Sequence, residues 1–268
     1  MLIRPLDQDA LRQQWNQAQP FPFVAIDGFL DAAFAARLAA SYPSYDRAEQ
    51  VGHEFSALHE NLKVQVSDYA RFPAEAQHLA DALRDPTFLA NLESITGIAR
   101  LRWDDTFAGG GMHLTASSGH LDVHVDFNRI EGQSLFRRLN LLVYLNEEWD
   151  EAWGGTLELW DRDVKQRCHA FAPSLNRCVI FETSDISYHG VTPVRCPPSA
   201  VRKSFAVYYY TEEAPSSYKG KDHTTIFKAR PTETKKRYVQ MPVAAARKAV
   251  SAAYRSARRG LRRLVGPS

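Results

Sequence analysis

Apolar and polar positions divide the chain into a helical first part and a strand-rich second part. The apolar run at 21–26 is followed by an alanine-rich segment that Asp31 can cap, so we predict a strand and then a helix ending before Pro43. Residues 73–85 and 86–97 repeat apolar positions at helical spacing, and each segment begins with a proline that suits a first turn. Helices are therefore expected to cluster in the first hundred residues.

Short β-rich runs follow the glycines at 109–111, which indicate a loop. Gly, Asn and Pro separate these runs, and the sequence shows no alternation of strands with helices. The pattern predicts a mainly β protein with flanking helices, built on a sandwich or a jelly-roll barrel. The predicted strands lie at 120–127, 139–146, 155–160, 177–181 and 203–210.

The amino-acid composition is that of a globular protein. Of the 268 residues, 44% are hydrophobic and 24% are charged, which favours one large domain. The first residues contain no apolar run of signal-peptide length, and no later run reaches the length of a membrane span, so we expect a cytoplasmic protein. Cys168, Cys178 and Cys196 form no CxxC pattern, which argues against a disulfide framework or a zinc knuckle.

Charge is distributed unevenly along the chain. Residues 228–268 hold twelve of the 33 basic residues and one of the 31 acidic residues, which leaves 21 basic and 30 acidic residues in 1–227. Apolar positions within 243–265 recur at three and four residues, so this basic C-terminal tail is predicted to form an amphipathic helix. Such a helix could bind an anionic membrane surface, nucleic acid or an acidic protein, or its apolar stripe could pack on the acidic body.

Two His-x-Asp pairs within seven residues are the first candidates for metal ligands. Alternate side chains of a strand point the same way, so His120, Asp122, His124 and Asp126 are predicted to share one face. The two pairs would lie roughly 13 Å apart, so one mononuclear site could not use both. The spacing alone leaves open which pair, if either, binds a metal.

A third ligand and an anion-binding pair are available further along the chain. His169 and His189 are the histidines best placed to supply the third ligand, and Arg202 and Ser204 are two apart on one predicted strand. Two histidines and one carboxylate leave three positions of an octahedral iron(II) open, which suits a bidentate 2-oxo acid and dioxygen. The far carboxylate of such a 2-oxo acid needs a fixed cation, for which a guanidinium with a neighbouring hydroxyl is well suited.

These motifs together resemble the iron(II)- and 2-oxoglutarate-dependent oxygenases, in particular their prolyl 4-hydroxylase-like branch. The resemblance lies in "HVDFN", "RRLNLLVYLNEEWDEAWGGTLELWD" and "ISYHGVTPVRCPPSAVRKSFAVYYY", and it extends to the early "PFPFVAIDGFLDAAFAARL". It implies a double-stranded β-helix, the jelly-roll or cupin-like fold, with N-terminal supporting helices. The oxygenase domain would occupy residues 1–227, with its catalytic core at about 100–212 and the basic tail at 228–268.

The resemblance also implies a role for individual residues. The family's metal ligands fall on His124, Asp126 and His189, which favours the second His-x-Asp pair; His120 and Asp122 would then line the same pocket or pair with each other. The family's 2-oxoglutarate carboxylate clamp falls on Arg202 with Ser204. Tyr144 matches a tyrosine that donates to the same carboxylate, and it shares a strand face with Asn140 and Leu142.

The reaction implied by the resemblance is hydroxylation of an unactivated C–H bond, with dioxygen as the oxidant and 2-oxoglutarate decarboxylated to succinate. The substrate would be a peptidyl prolyl residue or a small molecule, and the cofactors would be Fe(II) and 2-oxoglutarate, with ascorbate as a further candidate. An aspartate at position 126 favours hydroxylation over halogenation, because related halogenases carry a small residue there. An oxidative nucleic-acid demethylase on the same scaffold, or a non-catalytic barrel that serves as a binding module, remain as alternatives.

Other polar residues are assigned simpler roles. His113 is expected to be structural or exposed, and Arg137 and Arg138 are expected to flank a strand as solvated charges that could meet an acidic group of the substrate. Residues that face the substrate are predicted in loops around 44–70, 109–118 and 128–135.

Overall fold

The computed structural model describes residues 2–130, 132–244 and 246. The chain forms two compact units, Met1–Phe227 and Lys228–Ser268. None of the helices in the described part of the chain combines the length and the apolar character needed to cross a membrane.

Among the described residues of the first unit, five segments form α-helices, and three of them agree with the sequence-based prediction. The helices are α1 (Gln8–Gln17), α2 (Ala32–Ser41), α3 (Tyr45–Val51), α4 (Ala74–Arg84) and α5 (Pro86–Thr96). Asp31 caps α2, because its carboxylate accepts a hydrogen bond of 2.9 Å from the amide of Phe34, and Pro86 occupies the first turn of α5. Helix α1 was not predicted because it is largely polar and buries only Leu11 and Trp15.

Twelve strands form one curled antiparallel sheet in the described residues. The strands are β1 (Phe23–Asp27), β2 (His53–Ser56), β3 (Glu60–Val66), β4 (Arg102–Trp103), β5 (Gly111–Val125), β6 (Phe136–Tyr144), β7 (Leu157–Trp160), β8 (Arg167–Phe171), β9 (Arg177–Glu182), β10 (His189–Val191), β11 (Arg202–Thr211) and β12 (Ile226–Lys228). Their main order is β1-β9-β6-β11-β5-β10-β7-β8; in addition β3 and β12 pair with β5, β2 pairs with β3, and β4 pairs with β11.

The long strand β5 joins the two sides of the barrel. Its first half pairs with β11 through Met112–Thr115, and its second half pairs with β10 at Leu121 and His124. Between these halves Ser118 has a φ of +70°, and Gly119 lies so close to the backbone that a Cβ would come within 2.9 Å of the carbonyl oxygens of Ala116 and Leu62. The chain therefore turns from one side of the barrel to the other, as in a double-stranded β-helix, and the predicted fold class is confirmed.

Strand β6 shows how the barrel separates its core from its cavity. Leu139, Leu141 and Val143 belong to the large apolar cluster formed with the helices. Asn140 and Leu142 alternate with them and line the cavity inside the barrel. The helices thus cover the outside of the sheet, and the inner face remains available for polar side chains.

Part of the segment predicted as substrate-facing loops is regular structure. Residues 53–66 form the hairpin of β2 and β3, and β3 pairs with β5. Residues 111–118 of the loop predicted at 109–118 belong to β5. This prediction was wrong because the hairpin's apolar residues are few, and its alternation was not recognised.

In the second unit, residues 234–244 are helical and include a π-helical turn at Lys236–Gln240. Tyr238, Val239 and Val243 are exposed apolar residues of this helix. Most of the amphipathic helix predicted for 243–265 lies outside the described residues.

Candidate metal centre and anion pocket

Three side chains with metal-binding chemistry meet in the barrel cavity. His124 lies near the end of β5, Asp126 follows directly after it, and His189 begins β10 opposite His124 in the register. One ligand atom from each residue lies within 4.8 Å of the others. Nε2 of His124 lies 3.5 Å from Oδ1 of Asp126, and Nε2 of His189 lies 3.5 Å from Oδ2. His189 rather than His169 therefore completes the cluster.

Backbone carbonyls fix how both imidazoles face the cavity. Nδ1 of His124 lies 2.8 Å from the carbonyl oxygen of Asp122, and Nδ1 of His189 lies 3.0 Å from that of Ser187. Because a carbonyl only accepts, Nδ1 must carry the proton in each ring. In a neutral ring this leaves the lone pair on Nε2, on the side of the other two ligands, which is the form that binds a metal.

The electrostatic environment keeps Asp126 and His189 in the protonation states that bind a metal. Burial opposes ionisation of Asp126, but Arg137 and the two histidines outweigh it and hold the pKa of this carboxyl well below its usual range. Burial, assisted by His124, lowers the pKa of His189 to about 3. Near neutral pH the cavity thus presents a carboxylate and a neutral imidazole from these two residues.

The donor set fits iron(II). Two neutral imidazoles and one carboxylate form a set that non-haem Fe(II) oxygenases use, with the remaining coordination positions open. His124 and His189 are buried, and Asp126 is partly buried. In the described ranges no other three His, Cys, Asp or Glu side chains come close enough together to hold a metal ion. The cluster therefore has the chemistry that an iron centre requires.

Arg202 places an unbalanced positive charge in the same cavity. It is 5% exposed, and within the part of the chain that the structure describes no carboxylate lies within 4.0 Å of it. Its Nε donates to the carbonyl oxygen of Gly155 at 2.6 Å, and Nη1 lies 3.5 Å from the hydroxyl of Ser204. Because a buried charge without a counter-ion is costly, this arrangement calls for an anionic ligand.

Tyr144 and Ser204 lie beside this arginine. They are directly opposite each other on β6 and β11, and the guanidinium carbon of Arg202 is 5.2 Å from the centre of the Tyr144 ring. The Tyr144 hydroxyl is buried and has no hydrogen-bond partner in the described residues. Burial raises the pKa of Tyr144 to about 12, so the hydroxyl keeps its proton and can donate it to a ligand.

The first His-x-Asp pair does not join the cluster. A register shift gives β5 one extra residue opposite β10, and Asp122 turns away from the cavity. Its carboxylate instead accepts from Nδ1 of His59 at 2.8 Å, while His120 lines the cavity and lies 3.8 Å from the other oxygen of Asp122. The prediction that all four side chains share one face was wrong because strict alternation ignores this bulge.

Arg137 was interpreted wrongly as a solvated charge. Its side chain is 1% exposed and its Nη2 lies 3.2 Å from Asp126. The register of β6 with β11 shifts at this point, so Leu139 and Arg137 pair with consecutive residues and Arg138 is bulged. Uninterrupted alternation would put Arg138 inside the barrel, and no local signal in the sequence announces the bulge.

His113, expected to be structural or exposed, is a buried residue of the cavity wall. It is 6% exposed and lines the cavity, opposite Ser204 on β11 and Gln65 on β3. Its even spacing from Thr115, which also lines the cavity, is the signal that could have placed it there.

Comparison with known proteins agrees with this geometry. Residues 110–210 match the family model described as the 2OG-Fe(II) oxygenase superfamily. Over these residues the chain therefore matches an oxygenase domain of this superfamily. The double-stranded β-helix fold and the requirement for Fe(II) and 2-oxoglutarate, both expected from the sequence, are thereby confirmed at the level of the superfamily, and ascorbate stays a prediction.

Individual relatives match this chain over different lengths. A segment of 78 residues is 37% identical to prolyl 3-hydroxylase OGFOD1 of Mus musculus, and it covers 28% of this chain but only 14% of that relative. Among solved structures, a Trichoplax adhaerens prolyl hydroxylase in complex with a hypoxia inducible factor peptide fragment has a TM-score of 0.57 at 16% identity, covering 76% of this chain and 88% of that chain. A Pseudomonas putida prolyl-4-hydroxylase has a TM-score of 0.50 at 19% identity, covering 77% of this chain and 100% of that chain. At these identities the two structures share the fold alone with this oxygenase domain.

Proposed function

We propose that the protein is an iron(II)- and 2-oxoglutarate-dependent hydroxylase that acts on a prolyl residue of a peptide or on a small molecule. His124, Asp126 and His189 would hold the iron, and Arg202 with Ser204 and Tyr144 would hold the far carboxylate of 2-oxoglutarate. The bound iron supplies the activation of dioxygen, and the barrel supplies the positions of the two co-substrates.

The observation that carries this proposal is the presence of a metal-ligand cluster and an anion-binding group in one cavity. A cluster of three metal ligands and a buried arginine without a carboxylate partner in the described residues both line it. A 2-oxo acid satisfies both sites at once, because its oxo-carboxylate end chelates a metal while its far carboxylate pairs with a guanidinium. A site for a metal alone would have no need of Arg202.

The choice of a prolyl substrate rests on the relatives. Prolyl hydroxylases occur both in the sequence match and among the structures that share the fold. A basic C-terminal segment is the one feature that would favour a nucleic-acid substrate, and most of it lies outside the described residues. A binding module without turnover would not need the complete ligand set together with Arg202.

Anaerobic titration of the purified protein with Fe(II) and 2-oxoglutarate tests the proposed site. We expect a weak visible metal-to-ligand charge-transfer band in the wild type and in Asp122→Ala, and we expect Asp126→Ala to lose or displace it. A wild type without a band would contradict the proposal. Release of succinate with prolyl peptides and with small-molecule candidates then distinguishes the substrate classes.

A further inference from the structure

The two oxygens of Asp126 have different surroundings. Oδ2 accepts a hydrogen bond from Nδ2 of Asn140 at 2.8 Å and lies 3.2 Å from Nη2 of Arg137. Oδ1 lies 3.5 Å from Nε2 of His124, and Oδ2 also lies 3.5 Å from Nε2 of His189. Arg137 and Asn140 thus hold the carboxylate through Oδ2 while it lies beside both imidazoles.

The two groups that hold Oδ2 are themselves held in place. Nε of Arg137 donates to Oδ1 of Asn140 at 2.9 Å, which fixes the amide so that its Nδ2 points at Asp126. The guanidinium carbon lies 3.4 Å from the ring centre of Tyr208 and 4.7 Å from that of Phe127. A planar cation between two aromatic rings has little freedom to turn, so its donors keep their direction.

We propose that Arg137 and Asn140 are positioning residues that hold the Asp126 carboxylate beside the two histidines, in the orientation in which it would bind the metal. This inference rests on the proposed function, because it concerns the iron site of that reaction. Its consequence is measurable, because the loss of a group that holds a ligating side chain typically weakens metal binding.

A set of variants at β6 separates this role from a general effect on folding. Arg137→Met removes the contact with Oδ2, Arg137→Lys keeps a charge without the planar fork, and Asn140→Leu removes the amide donor. Arg138→Met is the matched control, because Arg138 is the adjacent arginine, is 14% exposed and pairs with Glu182 at 3.5 Å, away from the metal ligands. Circular dichroism and urea unfolding check that each variant is folded.

The affinities for Fe(II) and for Co(II) are measured by anaerobic titration. The charge-transfer band of the complex of Fe(II) with 2-oxoglutarate is then recorded for each variant. We expect Arg137→Met and Asn140→Leu to bind both metals about 10–100-fold more weakly and to shift the band. Arg137→Lys should recover part of the affinity, and Arg138→Met should match the wild type. Should Arg137→Met fail to fold, Asn140→Leu and Arg137→Lys give the same comparison.

Two outcomes would overturn the inference in different ways. Wild-type affinity and an unshifted band in Arg137→Met and Asn140→Leu would show that Oδ2 needs no partner, while the proposed function stands. Absence of metal binding in the wild type would overturn the proposed function, and this inference with it. Equal losses in Arg137→Met and Arg138→Met would assign the effect to strand packing instead.

Discussion

Arg202 combines burial with a charge that no carboxylate in the described ranges balances within 4.0 Å. We expect Arg202→Met to raise the KM for 2-oxoglutarate about 10–100-fold, because a hydrogen bond to a charged group contributes about 1.5–3 kcal/mol. Metal affinity without 2-oxoglutarate should stay unchanged. Lys203→Met is the control, since this neighbouring side chain points outwards and donates to the carbonyl oxygen of Ala39 at 3.2 Å. A similar rise in KM in both variants would argue against a specific carboxylate contact.

Two buried histidines should make the metal-free protein sensitive to mild acid. Burial lowers the pKa of His113 well below its usual range and that of His189 to about 3, so both rings stay neutral in the folded state. Below the unfolded pKa of about 6.5 the unfolded chain takes up protons that the folded chain does not, and stability falls as the pH falls. Each ring should cost about 1.4 kcal/mol between pH 7.5 and 5.5 by this linkage.

Urea unfolding of the metal-free protein at these two pH values measures the effect. His113→Leu should remove about half of the loss, because one of the two neutral rings is gone. Asp126 does not interfere, since its lowered pKa contributes stability that is lost only below pH 4 or so. An unchanged loss in His113→Leu would contradict the assignment.

At the scale of elements, the loop before β7 fixes the position of Arg202. Gly155 has a φ of +67°, its carbonyl accepts from Nε of Arg202, and an added Cβ would lie 2.9 Å from Cδ of the same side chain. Gly155→Ala should therefore weaken 2-oxoglutarate binding in addition to destabilising the fold by about 1–3 kcal/mol. Gly97→Ala is matched in backbone strain, with a φ of +72°, but its Cβ would meet nothing within 4 Å. Isothermal titration should show the loss of affinity in Gly155→Ala alone.

Some structural elements could be predicted from the sequence, and others could not. The helix capped by Asp31 and the alternating β6 follow from local rules, because capping chemistry and a two-residue period are visible in a single segment. Bulges are set by the partner strand, so the inward turn of Arg137 and the outward turn of Asp122 had no local signal. The meeting of His124 with His189 came from family resemblance, since their sequence separation of 65 residues carries no information about contact.

At the scale of the whole molecule, the sequence shows a strong separation of acidic and basic residues. The acidic 1–227 and the basic 228–268 differ strongly in net charge. The binding of the basic tail to a membrane surface, nucleic acid or an acidic protein stays a prediction, as do the cytoplasmic location and the domain boundary. All three binding modes would weaken with salt, because each depends on exposed charge.

Binding of the metal and of 2-oxoglutarate should stabilise the whole oxygenase domain in a fixed order. The metal would complete a cluster that joins the end of β5 to β10, and in the proposed site 2-oxoglutarate would then link the metal to Arg202 on β11. A ligand at about 100 times its Kd adds roughly 2.7 kcal/mol, which corresponds to a rise in Tm of about 5–10 °C for a chain of this size. We expect Mn(II), used in place of Fe(II) in air, to raise the Tm, and 2-oxoglutarate to raise it further only when Mn(II) is present. Asp126→Ala should lose both increments relative to its own metal-free baseline, whereas a rise caused by 2-oxoglutarate without metal would show that Arg202 binds the anion independently of the metal cluster.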